Sequence, residues 1–325
     1  MSPDKQLVIW RLALASLQDD RPAVLLYVLD SRGSSPGRQG FFMVVNADGM
    51  IEGSIGGGIM EHKFTEMARA QLAHNDHTTS VRRQIHDKDA AKDRSGMICS
   101  GEQTILLYTL RPNDIPPITA LLASMSAYQN GTIHLSPAGI AFSPESPSVN
   151  FRLHIRTEAD WVYEERTGCK NYLTIIGGGH CSLALSRIMR TMDFYIIVVE
   201  HRPELPTLLC NDYAHEKIIV EDYDELREKI PAGPTHHFVV VMTLGYRTDD
   251  RAARALMDKP FRYLGLLGSK AKVGQLFAEY RTEGLREEQL QKIHTPAGLS
   301  INSQTPEEIA VSIAAEIIRE KNTPC

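Results

Sequence analysis

The sequence is short of cationic excess, of paired cysteines and of long apolar runs, and each shortage removes a class of protein. Its 325 residues carry 35 Lys and Arg against 40 Asp and Glu, a formal net charge of −5. That leaves little electrostatic drive toward a phosphate backbone and excludes generic nucleic-acid binding. The 5 cysteines, at positions 99, 169, 181, 210 and 325, are odd in number and form no C-x-x-C pair. Neither a disulfide framework nor a structural zinc site is signalled, and free thiols are expected. No apolar run approaches the roughly 18 residues that a membrane helix needs. The opening Met-Ser-Pro-Asp-Lys lacks the basic start and apolar stretch of a secretory signal, so a cytoplasmic protein with no membrane contact is expected. H-E-x-x-H and G-x-S-x-G are also missing, which sets aside zinc-hydrolase and serine-hydrolase chemistry despite the neighbouring Glu61 and His62.

What is present is an ordinary globular composition, 42% apolar and 23% charged. The length suits about two domains. From Leu173 onward, short apolar runs (Leu173 to Ile176, Tyr195 to Val199, Lys217 to Val220, Phe238 to Met242, Tyr263 to Leu267) alternate with helical patterns. Runs that are apolar throughout suit parallel strands covered on both faces, and the alternation predicts a doubly wound parallel sheet.

The first 135 or so residues read differently. A helix is expected at about Lys5 to Leu17, strands at Ala23 to Leu29 and Phe41 to Val45, and a tight turn at Ala47-Asp48-Gly49 leading into Ile51. A second helix over Ile59 to Ala73 places Ile59, Met60, Phe64, Met67, Ala68 and Leu72 on one face, and another strand follows at Gln103 to Leu110. This half is expected to be mixed α/β with mixed strands. Residues 136–150 carry Pro137, Pro144, Pro147 and 4 serines, which reads as linker or long surface loop. Strand-like runs at Phe151 to Ile155 and Trp161 to Tyr163 suit either half. The expected division is therefore 1–135, a linker and strand-like connection at 136–168, and a C-terminal domain at 169–325.

Three glycine-rich segments carry the candidate chemistry. The strand ending at Ile176 runs into Gly177-Gly-Gly-His-Cys-Ser182 and then a helical pattern. In the dinucleotide fingerprint the first glycine makes the turn, the second admits a pyrophosphate and the third permits close helix packing. Gly177 and Gly179 take the first two places, Ser182 takes the third, and Glu200 stands 23 residues beyond Gly177, where a carboxylate would meet a ribose diol. A Rossmann-like fold follows from this context, while the nucleotide does not follow from the fold. His180 suits either an anion contact or a helix start facing solvent. Gly265-Leu-Leu-Gly-Ser-Lys270 offers Ser269 and Lys270 to a phosphate, with the alternative that Ser269 simply caps a helix.

In the N-terminal half, Gly33-Ser-Ser-Pro-Gly-Arg-Gln-Gly40 and Gly53-Ser-Ile-Gly-Gly-Gly-Ile-Met-Glu61 are turns rich in backbone donors. The second opens a helix, so the amides of Gly56, Gly57 and Gly58 favour an anion such as a pterin phosphate, with Arg38 adding charge. The alternative is that these glycines only serve hairpin and cap geometry. Cys99 follows the charged run Asp87 to Arg94 and suits a soft metal or sulfur relay if its thiolate is favoured, with the alternative that it is a passive thiol. Thr305-Pro-Glu-Glu308 is a helix start with a capping pattern.

Taken in order, these motifs resemble the XdhC/CoxI family of xanthine and carbon monoxide dehydrogenase accessory factors: G-S-S-P-G-R-Q-G, G-S-I-G-G-G-I-M-E, the Cys99 loop, I-I-G-G-G-H, L-G-L-L-G-S-K, I-H-T-P-A-G-L and T-P-E-E-I-A-V-S-I. The resemblance spans Gly33 to about Glu320. It implies an N-terminal XdhC/CoxI-type domain followed by a Rossmann-like one. It further implies a cytosolic maturation factor that binds molybdenum cofactor, aids its sulfuration by a cysteine desulfurase and passes it to an apo molybdenum hydroxylase of the xanthine dehydrogenase type. A homodimer without turnover of its own is implied as well. Carried over by position, the glycine-rich segment falls on Gly53, Ser54, Gly56, Gly57 and Gly58, the loop cysteine and candidate metal ligand on Cys99, and the C-terminal turn on Gly177, Gly179 and His180. The chain departs from the family at Ser100, where a glycine is usual, and at Thr243 to Asp250, where a T-H run is usual. The competing readings are an NAD(P)-dependent oxidoreductase using the C-terminal domain, and an adaptor that recruits partners and holds no cofactor.

Overall fold

The computed structural model describes residues 2–85, 101–157 and 159–323. The chain divides into two units, Met1–Cys169 and Lys170–Cys325.

The first unit begins with α1 (Pro3–Gln18), β1 (Ala23–Gly33), β2 (Phe42–Asn46), β3 (Ile51–Gly53), α2 (Gly58–Ala73), β4 (Ser80–Ile85), β5 (Gly101–Thr109) and α3 (Ile115–Ser126). Its five strands lie in the order β3-β2-β1-β5-β4. Every described pair is antiparallel, where mixed strands were expected. β1 is apolar without alternation because both of its faces are covered. Ala23, Leu25, Tyr27 and Leu29 pack with Trp10 of α1 and Ile118 and Leu121 of α3. Val24, Leu26 and Val28 pack with Met60, Phe64 and Ala68 of α2.

The strand-like runs expected within 136–168 are present, and the part of this stretch expected as linker also carries a strand. The stretch is mostly strand: β6 (Gly131–Ser136), β7 (Gly139–Ser143), β8 (Phe151–Thr157) and β9 (Asp160–Thr167) form a four-stranded sheet in the order β7-β6-β9-β8. Pro137 sits in the tight turn between Ser136 and its partner Gly139, a place where proline interrupts no ladder. β9 alternates exposed and buried residues, and Trp161 and Tyr163 enter the same core as β1.

The second unit comprises β10 (Asn171–Ile176), α4 (His180–Met189), β11 (Phe194–Glu200), α5 (Pro206–Leu209), β12 (Glu216–Ile219), α6 (Leu226–Lys229), β13 (Gly233–Val241), α7 (Tyr246–Leu256), β14 (Phe261–Leu266), α8 (Lys270–Thr282), α9 (Glu287–Leu290), β15 (Ile293–His294) and α10 (Pro306–Asn322). All pairs in its six-stranded sheet, ordered β12-β11-β10-β13-β14-β15, are parallel. This is the Rossmann-like doubly wound order, whose connectivity reverses between β10 and β13. α10 starts as its sequence demands, with Thr305 Oγ1 accepting from the Glu308 amide at 3.2 Å and Glu308 Oε2 accepting from the Thr305 amide at 3.3 Å. The I-H-T-P-A-G-L segment is fastened to α10: the Gly298 amide donates to Glu316 Oε2 at 2.7 Å and Ser312 Oγ donates to the Leu299 carbonyl at 2.6 Å.

Gly177 holds the turn after β10 at φ +108°, and a Cβ there would lie 2.4 Å from the Met242 carbonyl oxygen. Backbone cannot yield as a side chain can, so Gly177→Ala is expected to cost about 2 to 4 kcal/mol. Urea denaturation of the full chain measures it, and an unchanged midpoint would contradict this packing.

Candidate functional site

In the first unit the two glycine turns lie against each other. A Cβ on Gly56 would fall 2.3 Å from the Gly37 nitrogen, so this pair of backbones can only meet bare. Gln103, buried on β5, ties them together, its Nε2 donating to the carbonyls of Gly37 at 2.8 Å and Ile55 at 3.3 Å. Two of the three amides expected to face a ligand, those of Gly56 and Gly57, are already engaged. Ser54 Oγ and the amides of Ile55 and Gly57 all donate to one oxygen, Glu61 Oε2, at 2.6, 2.9 and 3.0 Å, and the Gly56 amide donates to Ser54 Oγ at 3.0 Å. The first anion in this turn is therefore the protein's own, because Glu61 lies one helical turn from Gly57 and can reach back. Gly58 opens α2 and is exposed. Arg38 is exposed and donates to the Gly33 carbonyl at 2.9 Å. Cys99 lies outside the described residues, which resume at Gly101, paired with Gly33 in the β1–β5 ladder.

In the second unit a crevice of about 480 Å³ opens where the strand order reverses. Gly179, His180 and Ser182 from the turn after β10 form one side, Met242, Thr243 and Leu244 after β13 another, and Arg202 and Thr207 also line it. Gly179 is the N-cap of α4 and leaves open space where a Cβ would stand. Ser182 is fully buried, and its Oγ has no hydrogen-bond partner among the described residues. A buried hydroxyl without a partner is costly, and here it sits beside a helix N-terminus, where an anion is favoured. His180 is exposed at the crevice mouth.

Glu200 does not offer a carboxylate to a ribose. It is fully buried, and its Oε2 accepts from the Gly178 amide at 2.8 Å and Arg202 Nη2 at 2.8 Å. Its Oε1 accepts from the His201 amide at 2.9 Å, Arg202 Nε at 3.0 Å and Tyr223 Oη at 3.3 Å. The carboxylate fastens the glycine turn to β11 and orients Arg202. Ser269 takes its capping alternative, accepting from the Lys272 amide at 3.3 Å, and Lys270 is exposed.

The cation that faces inward is Lys272, paired with the buried Asp249, which also accepts from the Thr243 amide at 2.8 Å and Thr243 Oγ1 at 2.6 Å. Sequence reasoning does not find Arg202, Asp249 or Lys272. Only the first leaves a local signal, standing two places after Glu200. Among the described residues no group of three or more His, Cys, Asp or Glu could hold a metal ion, and no helix is long and apolar enough to cross a membrane.

Burial pushes the Glu200 carboxyl up, but the Arg202 guanidinium and the amides of Gly178 and His201 outweigh it and bring its pKa down to about 2 from 4.5. A depressed folded-state pKa gives stability that is complete above pH 4.5 and is lost as pH falls toward 2. Glu200→Gln should therefore lower the urea midpoint at neutral pH, and the gap to wild type should close on acidification through that window. A gap independent of pH would remove the charged pairing as its cause.

The family described as "XdhC and CoxI family" matches residues 16–83, and "XdhC Rossmann domain" matches residues 173–317. The chain is 26% identical over 304 residues to the uncharacterized protein YqeB of Escherichia coli, covering 93% of this chain and 44% of that protein, so it spans less than half of that relative's length. It is 22% identical to a protein of Bacillus subtilis described as a probable xanthine dehydrogenase subunit, covering 94% and 96% of the two chains. A crystal structure described as a xanthine dehydrogenase from Bacillus halodurans superposes with a TM-score of 0.69 at 25% identity, covering 98% of this chain and 96% of that one. The two family matches fall on the two units separately, in the order that the glycine motifs follow, and the chain belongs to the XdhC/CoxI family.

Proposed function

We propose that the protein is an accessory factor that holds molybdenum cofactor and delivers it to an apo molybdenum hydroxylase of the xanthine dehydrogenase type. A cysteine desulfurase would supply the terminal sulfur, and the chain would act as a homodimer. The observation that carries this reading is the crevice at the strand reversal, where an orphaned, fully buried Ser182 hydroxyl lies beside the open N-cap of α4. The phosphate of the cofactor suits that place. A hydroxyl and first-turn amides donate to it, while Arg202 lines the crevice, its direction set by Glu200. When bound, the cofactor would supply an oxidation-prone dithiolene and its metal. The chain's own task is to grip the phosphate, shelter the group and release it. Cys99 remains the proposed soft ligand.

A nicotinamide-dependent oxidoreductase is the second reading, favoured by the strand order and the glycine turn. The engagement of Glu200 speaks against it, since a ribose diol would have to displace Arg202 or a backbone amide. An adaptor without a cofactor would leave the Ser182 hydroxyl unexplained.

Protein co-expressed with the cofactor pathway should release a fluorescent pterin on oxidation and carry molybdenum. A hydrogen bond to a charged group is worth about 1.5–3 kcal/mol, so Ser182→Ala should weaken pterin retention roughly tenfold or more. Its thermal midpoint should hold or rise, because the hydroxyl has no internal partner to lose. Cys99→Ala should lower molybdenum more than pterin. Absence of pterin from the wild type would overturn the carrier reading, and saturable NAD binding with hydride transfer would favour the second.

A further inference from the structure

The second unit has another cavity, of about 470 Å³, at the opposite end of its sheet, beside the N-terminal end of β14 and the short α9. Four cationic side chains line it, those of Lys259, Arg262, Arg286 and Lys292, with a single carboxylate, that of Asp258. The concentration is unusual in a chain of net charge −5. Like charges gathered in a concave surface repel one another, and a low-dielectric wall focuses their field.

The carboxylate does not neutralise the group by itself, and its Oδ1 already accepts from Gln289 Nε2 at 2.9 Å. Lys259, Arg286 and Lys292 have no carboxylate partner among the described residues. The Lys259 ammonium is held by two backbone carbonyls, those of Arg227 and Ile230. An ammonium has three donors, so one is left for an incoming acceptor. Arg262 is fixed in the same manner, its guanidinium donating to the carbonyls of Glu320 and Thr323 near the end of α10. Two cations are thus anchored to backbone, while Arg286 and Lys292 are exposed arms on the segment that carries α9. Burial and the neighbouring Arg227 push the Lys259 ammonium below its usual range, the state of a cation that lacks a counter-charge.

We infer that this cavity is a second anion site, distinct from the crevice at the strand reversal, and that it takes a small phosphorylated molecule. Guanidinium groups match the tetrahedral oxygens of a phosphate in pairs, and a multiply charged group satisfies several cations at once. The volume exceeds that of inorganic phosphate and falls in the range of small-molecule sites. Phe261, partly exposed on the wall, offers an apolar surface to the remainder of such a ligand. The inference does not rest on the cofactor reading, since no residue of this cavity lines the crevice.

Amide hydrogen exchange of the full chain, titrated with inorganic pyrophosphate, tests it. Protection is expected within residues 257–264 and 286–294. In the Arg286→Gln/Lys292→Gln variant its midpoint should move to roughly tenfold higher pyrophosphate. Both side chains are exposed, so the variant keeps the fold. Protection confined to residues 177–183, or a midpoint that the double variant leaves in place, would overturn the site. Equal protection by citrate would overturn the phosphate as its ligand class.

Discussion

Backbone amides in a tight turn have no ladder or helix to pair with, and in this protein carboxylates from nearby positions accept them. Glu61 takes the amides of Ile55 and Gly57, Glu200 takes those of Gly178 and His201, Asp249 takes that of Thr243, and Glu316 takes that of Gly298. An amide that donates to a charged acceptor is bound more firmly than one donating to a neutral carbonyl. The turns at Ile55–Gly57, Gly178, Thr243 and Gly298 are each fastened in this way. The crevice in the second unit inherits its shape from this fastening, since the turn after β10 is held by Glu200 and the turn after β13 by Asp249.

The same arrangement explains which parts of the site are legible in the sequence. Strands and helices of the second unit follow from apolar runs and glycine punctuation, and β10 through α4 can be placed by reading residues 171 to 189 alone. The partner of a carboxylate cannot. Glu200 has the spacing of a ribose-binding acid, and only the placement of Arg202 and Gly178 reveals that its oxygens are engaged. Glu61 belongs to no metal motif in the sequence, and its spacing from Gly57 is that of a side chain returning to its own helix start. Lys270 draws attention away from Lys272, because an exposed and an inward lysine two residues apart differ only in the helical face they occupy.

In the first unit the differences come from solvent exposure and from prolines. The strand-like runs at Phe151 to Ile155 and Trp161 to Tyr163 fall within β8 and β9, whereas β7 is hidden in the proline- and serine-rich stretch that reads as linker. The apolar continuity of β1 reflects helices on both sides of an antiparallel sheet, which a one-dimensional pattern does not distinguish from a parallel one. Glu165, whose Oε2 accepts from Tyr27 Oη at 2.6 Å and Tyr163 Oη at 2.8 Å, joins the two sheets of this unit through a buried polar contact that no local motif announces.

Glu61 has one further effect on the turn it closes. The carboxylate is tethered four positions from Gly57, so its effective concentration at those amides exceeds what a dissolved monoanion can reach. Admission to this turn is an exchange of one acceptor for another, with Glu61 released to solvent. A dissolved anion at these amides would compete with an acceptor that the chain itself already supplies.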